Sequence, residues 1–139
     1  MRLWHKSLLT VLPREQLVSQ WRECSAIAGN LLTKGTPNHI LVNKILDYDL
    51  DHFISYSKQV RDEMTTRGYR TMDSVWNKII SIKPDWEEVP YCNIYFDWMN
   101  DEYFDICYYN LKEKYMCGGI NEKDWTNIDR MYSINLSHR

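Results

Sequence analysis

The stretch from Pro13 to Leu32 constrains the fold more than any other part of the chain. Leu17, Trp21, Cys24, Ala28 and Leu31 recur at spacings of three and four, which places them on one stripe of an α-helix. Proline is well suited to a helix's first turn, and Gly35 offers the left-handed stop after the last. A helix of roughly twenty residues is about 30 Å long, as wide as a small domain. The rest of the chain must therefore pack around it.

The remaining segments also speak for helices. Thr36-Pro37 signals a second, short helix that would turn Ile40, Leu41 and Ile45 inward. Phe53, Tyr56, Val60 and Met64 mark a third, from about Leu50 to Arg67, with Gly68 as its stop. Asp73 starts a short helix through Ile80, and Lys83–Tyr95, with Pro84 and Pro90, reads as loop. Asn100-Asp101-Glu102 opens a strong helix with apolar face Phe104, Cys107, Tyr108, Leu111 and Tyr115, ending at Gly118-Gly119. A final helix spans Glu122–Met131. No segment alternates as a strand does. The expectation is an all-α fold in one compact domain, residues 1–139, with about three long helices and several shorter ones. The first helix should pack Leu17, Trp21 and Leu31 against the middle and last long helices.

Composition narrows the class. No apolar run approaches the roughly 18 residues of a membrane span, and the N-terminus lacks the pattern of a signal peptide. Cys24, Cys92, Cys107 and Cys117 are widely and irregularly spaced, which argues for reduced thiols in a cytoplasmic protein rather than a disulfide framework or zinc module. The net charge of −2 is uneven. Residues 1–34 hold five basic and two acidic side chains, whereas residues 81–139 hold six basic and eleven acidic. An acidic whole speaks against strong nonspecific DNA binding, but the basic first third leaves room for a local nucleic-acid face.

Glu23 lies opposite the apolar stripe of the first helix, among Gln16, Ser19, Ala26 and Asn30. A carboxylate there is most often simply solvated. The functional alternative is a reactive carboxylate with room beside it for a nucleotide, with Arg22 turned about 100° away to hold phosphate. His39 and Asn43 share a helical face if residues 36–45 are helical, and both can hydrogen-bond a base or phosphate. They could equally be a satisfied polar face. His39 has no second ligand at metal spacing, and the acidic run Asp97, Asp101, Glu102, Asp105 is better suited to a helix start than to a cation. No metal or cofactor is expected.

The pattern Leu12, Gln16-Leu17, Gln20-Trp21-Arg22-Glu23 resembles the start of the pyrimidine-dimer DNA glycosylases, which carry an aromatic–Arg–Glu triplet at the same distance from the chain start. Asp47–Phe53 through Arg67-Gly68-Tyr69 resembles the family's long middle helix, and Asn110–Tyr115 its last long helix. Arg2–His5, Gly35–Lys44 and Tyr108–Gly119 are similar to a bacterial branch of the same family.

The resemblance implies a DNA glycosylase, possessed or not of abasic-site lyase activity, that works through the N-terminal amine and one glutamate. The catalytic pair would be Met1 and Glu23. Arg2, His5, Gln16, Arg22, His39, Asn43 and Lys44 would bind substrate. An α-amine has an ordinary pKa near 8, so an appreciable share is nucleophilic at neutral pH. Phage members carry a small second residue and lose their initiator Met. Arg2 ordinarily blocks that processing, which moves the nucleophile to Met1 itself. The partner would be damaged or modified duplex DNA, bound by a monomer. Two alternatives stay open: the same chemistry on a modified base or free nucleotide, which the acidic charge favours, and a non-catalytic nucleic-acid- or protein-binding module.

Overall fold

The computed structural model describes all 139 residues and contains helices and turns but no strand. A 3₁₀ turn at Lys6–Leu8 precedes α1 (Arg14–Lys34). A second, at Asn43–Asp47, leads to α2 (Leu50–Thr66) and α3 (Asp73–Ile80). A third, at Tyr91–Asn93, precedes α4 (Asp101–Met116) and α5 (Glu122–Ser137).

Local chemistry sets these boundaries. Pro13 caps α1, and Gly35 closes it at φ 70° with its N–H on the Leu31 carbonyl. The side chains of Asp49, Asn100 and Asn121 accept hydrogen bonds from the first-turn N–H groups of Asp51, Tyr103 and Asp124. Each thereby satisfies a backbone donor that no helical carbonyl can reach. Gly68, at φ 79°, turns the chain after α2.

The five helices form two groups around one core. Helix α1 packs on α2 and α3, while α4 and α5 pack on each other. The second pairing is aromatic: Tyr108 and Tyr132 stack at 3.7 Å, and Tyr115 and Trp125 at 4.8 Å. The first twelve residues run between the groups. Leu3, Leu8 and Leu12 are fully buried, and Lys6 donates its three ammonium protons to the carbonyls of Tyr91 (2.8 Å), Cys92 (3.2 Å) and Ile94 (2.6 Å).

Three expectations need correction. Residues 36–42 are not a helix: Asn38 takes φ 60°, a turn and a short 3₁₀ segment follow, and Ile40 (85 % exposed) and Leu41 (48 %) point outward. Ile45 is fully buried as expected, and Val42 is buried beside it. The second partner of α1 is the short α3, whose Ile79 is fully buried, rather than the last long helices. Finally, α5 continues to Ser137, six residues past the expected end at Met131. Its last turn is held by Arg139, which reaches back to Asp105 of α4 at 2.6 Å. No helix is long and apolar enough to cross a membrane.

Candidate active site

A cleft of about 360 Å³ opens beside the chain start, within the range of small-ligand sites. Met1, Arg2 and Trp4 form one wall, Glu15, Gln16, Ser19 and Glu23 of α1 the second, and Asn110 and Lys114 of α4 the third. The periodicity of α1 explains this. Gln16, Gln20 and Glu23 follow at i, i+4 and i+7, one face of the helix, and the N-terminal segment lies against that face.

Glu23 is half-buried, and burial pushes its carboxyl above the usual carboxylate range. The positive charge of the Met1 amine opposes that shift, as do the Arg2 backbone, the Gln20 amide and the His39 ring. None of the chain's ion pairs includes Glu23 or the amine. Met1 and Glu23 line the same cavity, and the amine is near enough for its charge to act on the carboxylate. Gln16 lines the cleft, and its Oε1 is buried without a hydrogen-bond partner.

The chain start is fixed by side chains that sequence reasoning did not single out. Gln20 is fully buried. Its Oε1 accepts from the Trp4 N–H at 2.7 Å, and its Nε2 donates to the Arg2 carbonyl and to Glu23 Oε2, each at 3.0 Å. The Tyr56 hydroxyl lies 2.6 Å from the Trp4 carbonyl and 2.9 Å from Gln20 Oε1. The Tyr103 hydroxyl donates to the Leu3 carbonyl. The signal available was the Gln16–Gln20–Glu23 spacing, which puts a second amide beside the carboxylate.

Met1, Arg2, Gln16 and Glu23 thus meet in one cleft. The Arg2 guanidinium also sits over the Trp4 ring, 5.6 Å from its centroid. Arg22 is exposed and lines an adjoining groove with Arg14, Glu15, Val18 and Ser19. The two hollows share Glu15 and Ser19. His39 is half-buried, and its charge reaches Glu23. Its backbone N–H donates to Asn43 Oδ1 at 3.1 Å, so these two residues are neighbours through a turn rather than along a helix. Lys44 is exposed, and its charge bears on Asp97 rather than on the cleft.

His5 is elsewhere. It is 5 % exposed, its Nε2–H donates to the Met99 carbonyl at 2.7 Å, and its Nδ1 accepts from the Ser7 N–H at 3.1 Å. Both ring nitrogens are occupied inside the protein, which corrects the expectation of a substrate contact. Lys6, whose pKa burial lowers, has the chemistry of a nucleophilic lysine. With each ammonium proton committed to a carbonyl, it is a structural tie.

No curated protein and no solved structure matches the chain. A family model described as pyrimidine dimer DNA glycosylase matches residues 1–77, more than half of the 139. That stretch runs from the chain start through most of α3 and includes every predicted site residue. The chain therefore belongs to the pyrimidine dimer DNA glycosylase family.

Proposed function

We propose that this protein is a DNA glycosylase whose nucleophile is the α-amine of Met1 and whose proton-transfer group is Glu23. One observation carries the reading: the terminal amine and a half-buried carboxylate share a ligand-sized cleft without being paired to each other. The neutral amine attacks C1′ of an extruded nucleotide. The C1′–base bond breaks, and the base leaves with its electron pair and takes up a proton. The amine then loses a proton as the C1′–O4′ bond opens, which gives a protonated imine. Glu23 carries that proton to O4′ and stabilises the positive charge on the sugar. Removal of a C2′ proton then expels the 3′ phosphate, the lyase step.

A carboxyl with a raised pKa is suited to this alternation of roles near neutral pH. Arg22 and Arg14 in the adjoining groove, with Arg2 and Lys114 in the cleft, offer cations to the flanking phosphates. The His39 ring acts on the carboxylate from the turn after α1, and Asn43 holds the His39 backbone N–H.

The acidic residues 81–139 favour a second reading, the same chemistry on a modified base or free nucleotide. The salt dependence of binding separates the two, since a duplex-bound enzyme loses affinity steeply as salt rises. The test of the chemistry is borohydride reduction during reaction with duplex DNA containing an abasic site. A covalent adduct mapping to residue 1 is expected, and a tag left fused ahead of Met1 abolishes it. An adduct at Lys114, or undiminished trapping by the tagged protein, would overturn the assignment.

A further inference from the structure

We infer that Gln20 is the positioning residue of this site, one buried carboxamide that sets where the terminal amine stands relative to the Glu23 carboxylate. The inference rests on the reading proposed above and adds a residue that itself touches no substrate.

The geometry fixes the amide's orientation. The Trp4 N–H can only donate and the Arg2 carbonyl can only accept, so Oε1 must face the first and Nε2 the second. These two groups flank Leu3, whose side chain is fully buried. The amide therefore grips residues 2–4 as a neighbouring strand would, through one donor and one acceptor. The second Nε2 proton points at Glu23 Oε2, and the second Oε1 lone pair faces the Tyr56 hydroxyl. The Tyr56 hydroxyl has one proton, shared between Gln20 Oε1 and the nearer Trp4 carbonyl.

The consequence is mechanical. The same rigid group holds the backbone one residue from the nucleophile and one oxygen of the carboxylate. The two cannot drift apart without breaking a buried hydrogen bond, which is costly where no water replaces it. Tyr56 and Tyr103 complete the clamp on the carbonyls of Trp4 and Leu3. The Arg2 backbone acts on the same carboxylate, so Glu23 is tied to the chain start on two sides. A reaction that needs its groups placed to within a fraction of an ångström gains from such pre-organisation.

Gln20→Glu is the sharpest probe. It keeps the size of the side chain and the acceptor for Trp4, but removes both Nε2 donations and sets a second carboxyl against Glu23. Borohydride trapping on abasic-site duplex is measured at saturating enzyme across pH 5–9, with DNA affinity and thermal midpoint measured beside it. The expected result is a folded protein with DNA affinity within about twofold of wild type, because Gln20 is buried. Its trapping should be slower by ten-fold or more, with the acid limb of the rate profile moved to higher pH. A merely structural residue would lower the thermal midpoint and leave the pH profile in place. Trapping at the wild-type rate by a folded variant overturns the inference, as does a slowing accounted for by weaker DNA binding. If Gln20→Glu does not fold, Gln20→Met, which keeps the length of the side chain but holds neither the Arg2 carbonyl nor Glu23, carries the same expected slowing, and an unchanged rate there overturns the inference. A wild-type protein that traps nothing rejects the chemistry itself, an outcome distinct from any of these.

Discussion

The first 80 residues and the last 59 divide the work unequally. The first part carries the aromatic–Arg–Glu triplet, the terminal amine and the polar turn at His39–Asn43, is the part the family model matches, and is basic at its start. The second part is acidic and carries neither proposed reacting group. Yet it supplies Asn110 and Lys114 to the cleft and the three carbonyls that hold Lys6. It also provides the Met99 carbonyl that receives His5 and the Tyr103 hydroxyl on Leu3. Reactive groups can thus be local in sequence while the frame that aims them is not. These ties hold the terminal segment from 85 to 100 places away.

The most drastic way to break this division is to end the chain after Ser81. Without the second part, Leu3, Leu8 and Phe104's partners lose a shared core, and the Lys6 ammonium loses all its acceptors. The expected outcome is loss of the cooperative helical transition seen by circular dichroism and loss of all trapping. A shortened chain that folds and traps would show the first part to be self-sufficient.

Glu23→Gln separates chemistry from frame within the first part. Trapping should fall about 10²–10⁴-fold, the usual worth of a positioned acid–base group, while DNA affinity stays within a few-fold. The raised pKa adds a second expectation. A carboxyl whose pKa is higher in the folded state contributes stability that is complete below the unfolded pKa and is lost as pH rises through the folded one. At neutral pH the neutral amide should therefore raise the thermal midpoint. A variant that is both less active and less stable would place Glu23 in the frame instead.

How much of this was legible in the sequence follows from how local each cause is. The boundaries of α1, α2 and α4 follow from Gly35, Gly68 and Asn100, which act on their own turns, so spacing and caps were sufficient. Residues 36–42 misled because Thr36-Pro37 has the form of a helix start. The Asn38 φ of 60° and the Asn30 amide on the Pro37 carbonyl hold the chain in a turn. His39 and Asn43 came out adjacent nonetheless, by a different geometry. At the site, Met1 and Glu23 were reached through resemblance, and the structure brings them to one cleft. The roles of His5, Lys6 and Gln20 depend on Met99, Tyr91, Cys92, Ile94 and Tyr56, at separations of 36 to 94 residues, and no local pattern encodes such partners.

The frame has its own titration. Burial lowers the His5 pKa to about 4, from an ordinary 6.5. The unfolded chain therefore binds this proton more tightly, so the stability His5 contributes is complete above pH 6.5 and is lost as pH falls towards 4. At 1.36 kcal/mol per unit the full loss is roughly 3 kcal/mol. Chemical denaturation between pH 7 and 4 should show this decline. In His5→Gln, which keeps a donor but cannot take up the proton, the decline should be shallower by a comparable amount. Equal slopes in the two proteins would mean that other groups govern acid unfolding.

Lys114 tests the smallest contribution of the second part, its wall of the cleft. The side chain is exposed and makes none of the chain's ion pairs, so its removal costs the fold little. It lines the cleft together with Arg2 and Glu23, so its ammonium is available to a phosphate next to an extruded nucleotide. A solvent-exposed ion pair of this kind is worth about 0.2–1 kcal/mol, so Lys114→Ala should weaken duplex binding by about two- to five-fold. If one phosphate contact is lost, the slope of log affinity against log salt should become shallower by about one. The trapping rate at saturating DNA should hardly change, because the proposed chemistry runs through Met1 and Glu23 and not through this lysine. Weaker binding with an unaltered salt slope would mean that Lys114 shapes the cleft without touching phosphate. A collapse of trapping at saturating DNA would move it from the wall into the chemistry, and with it the boundary between the two parts of the chain.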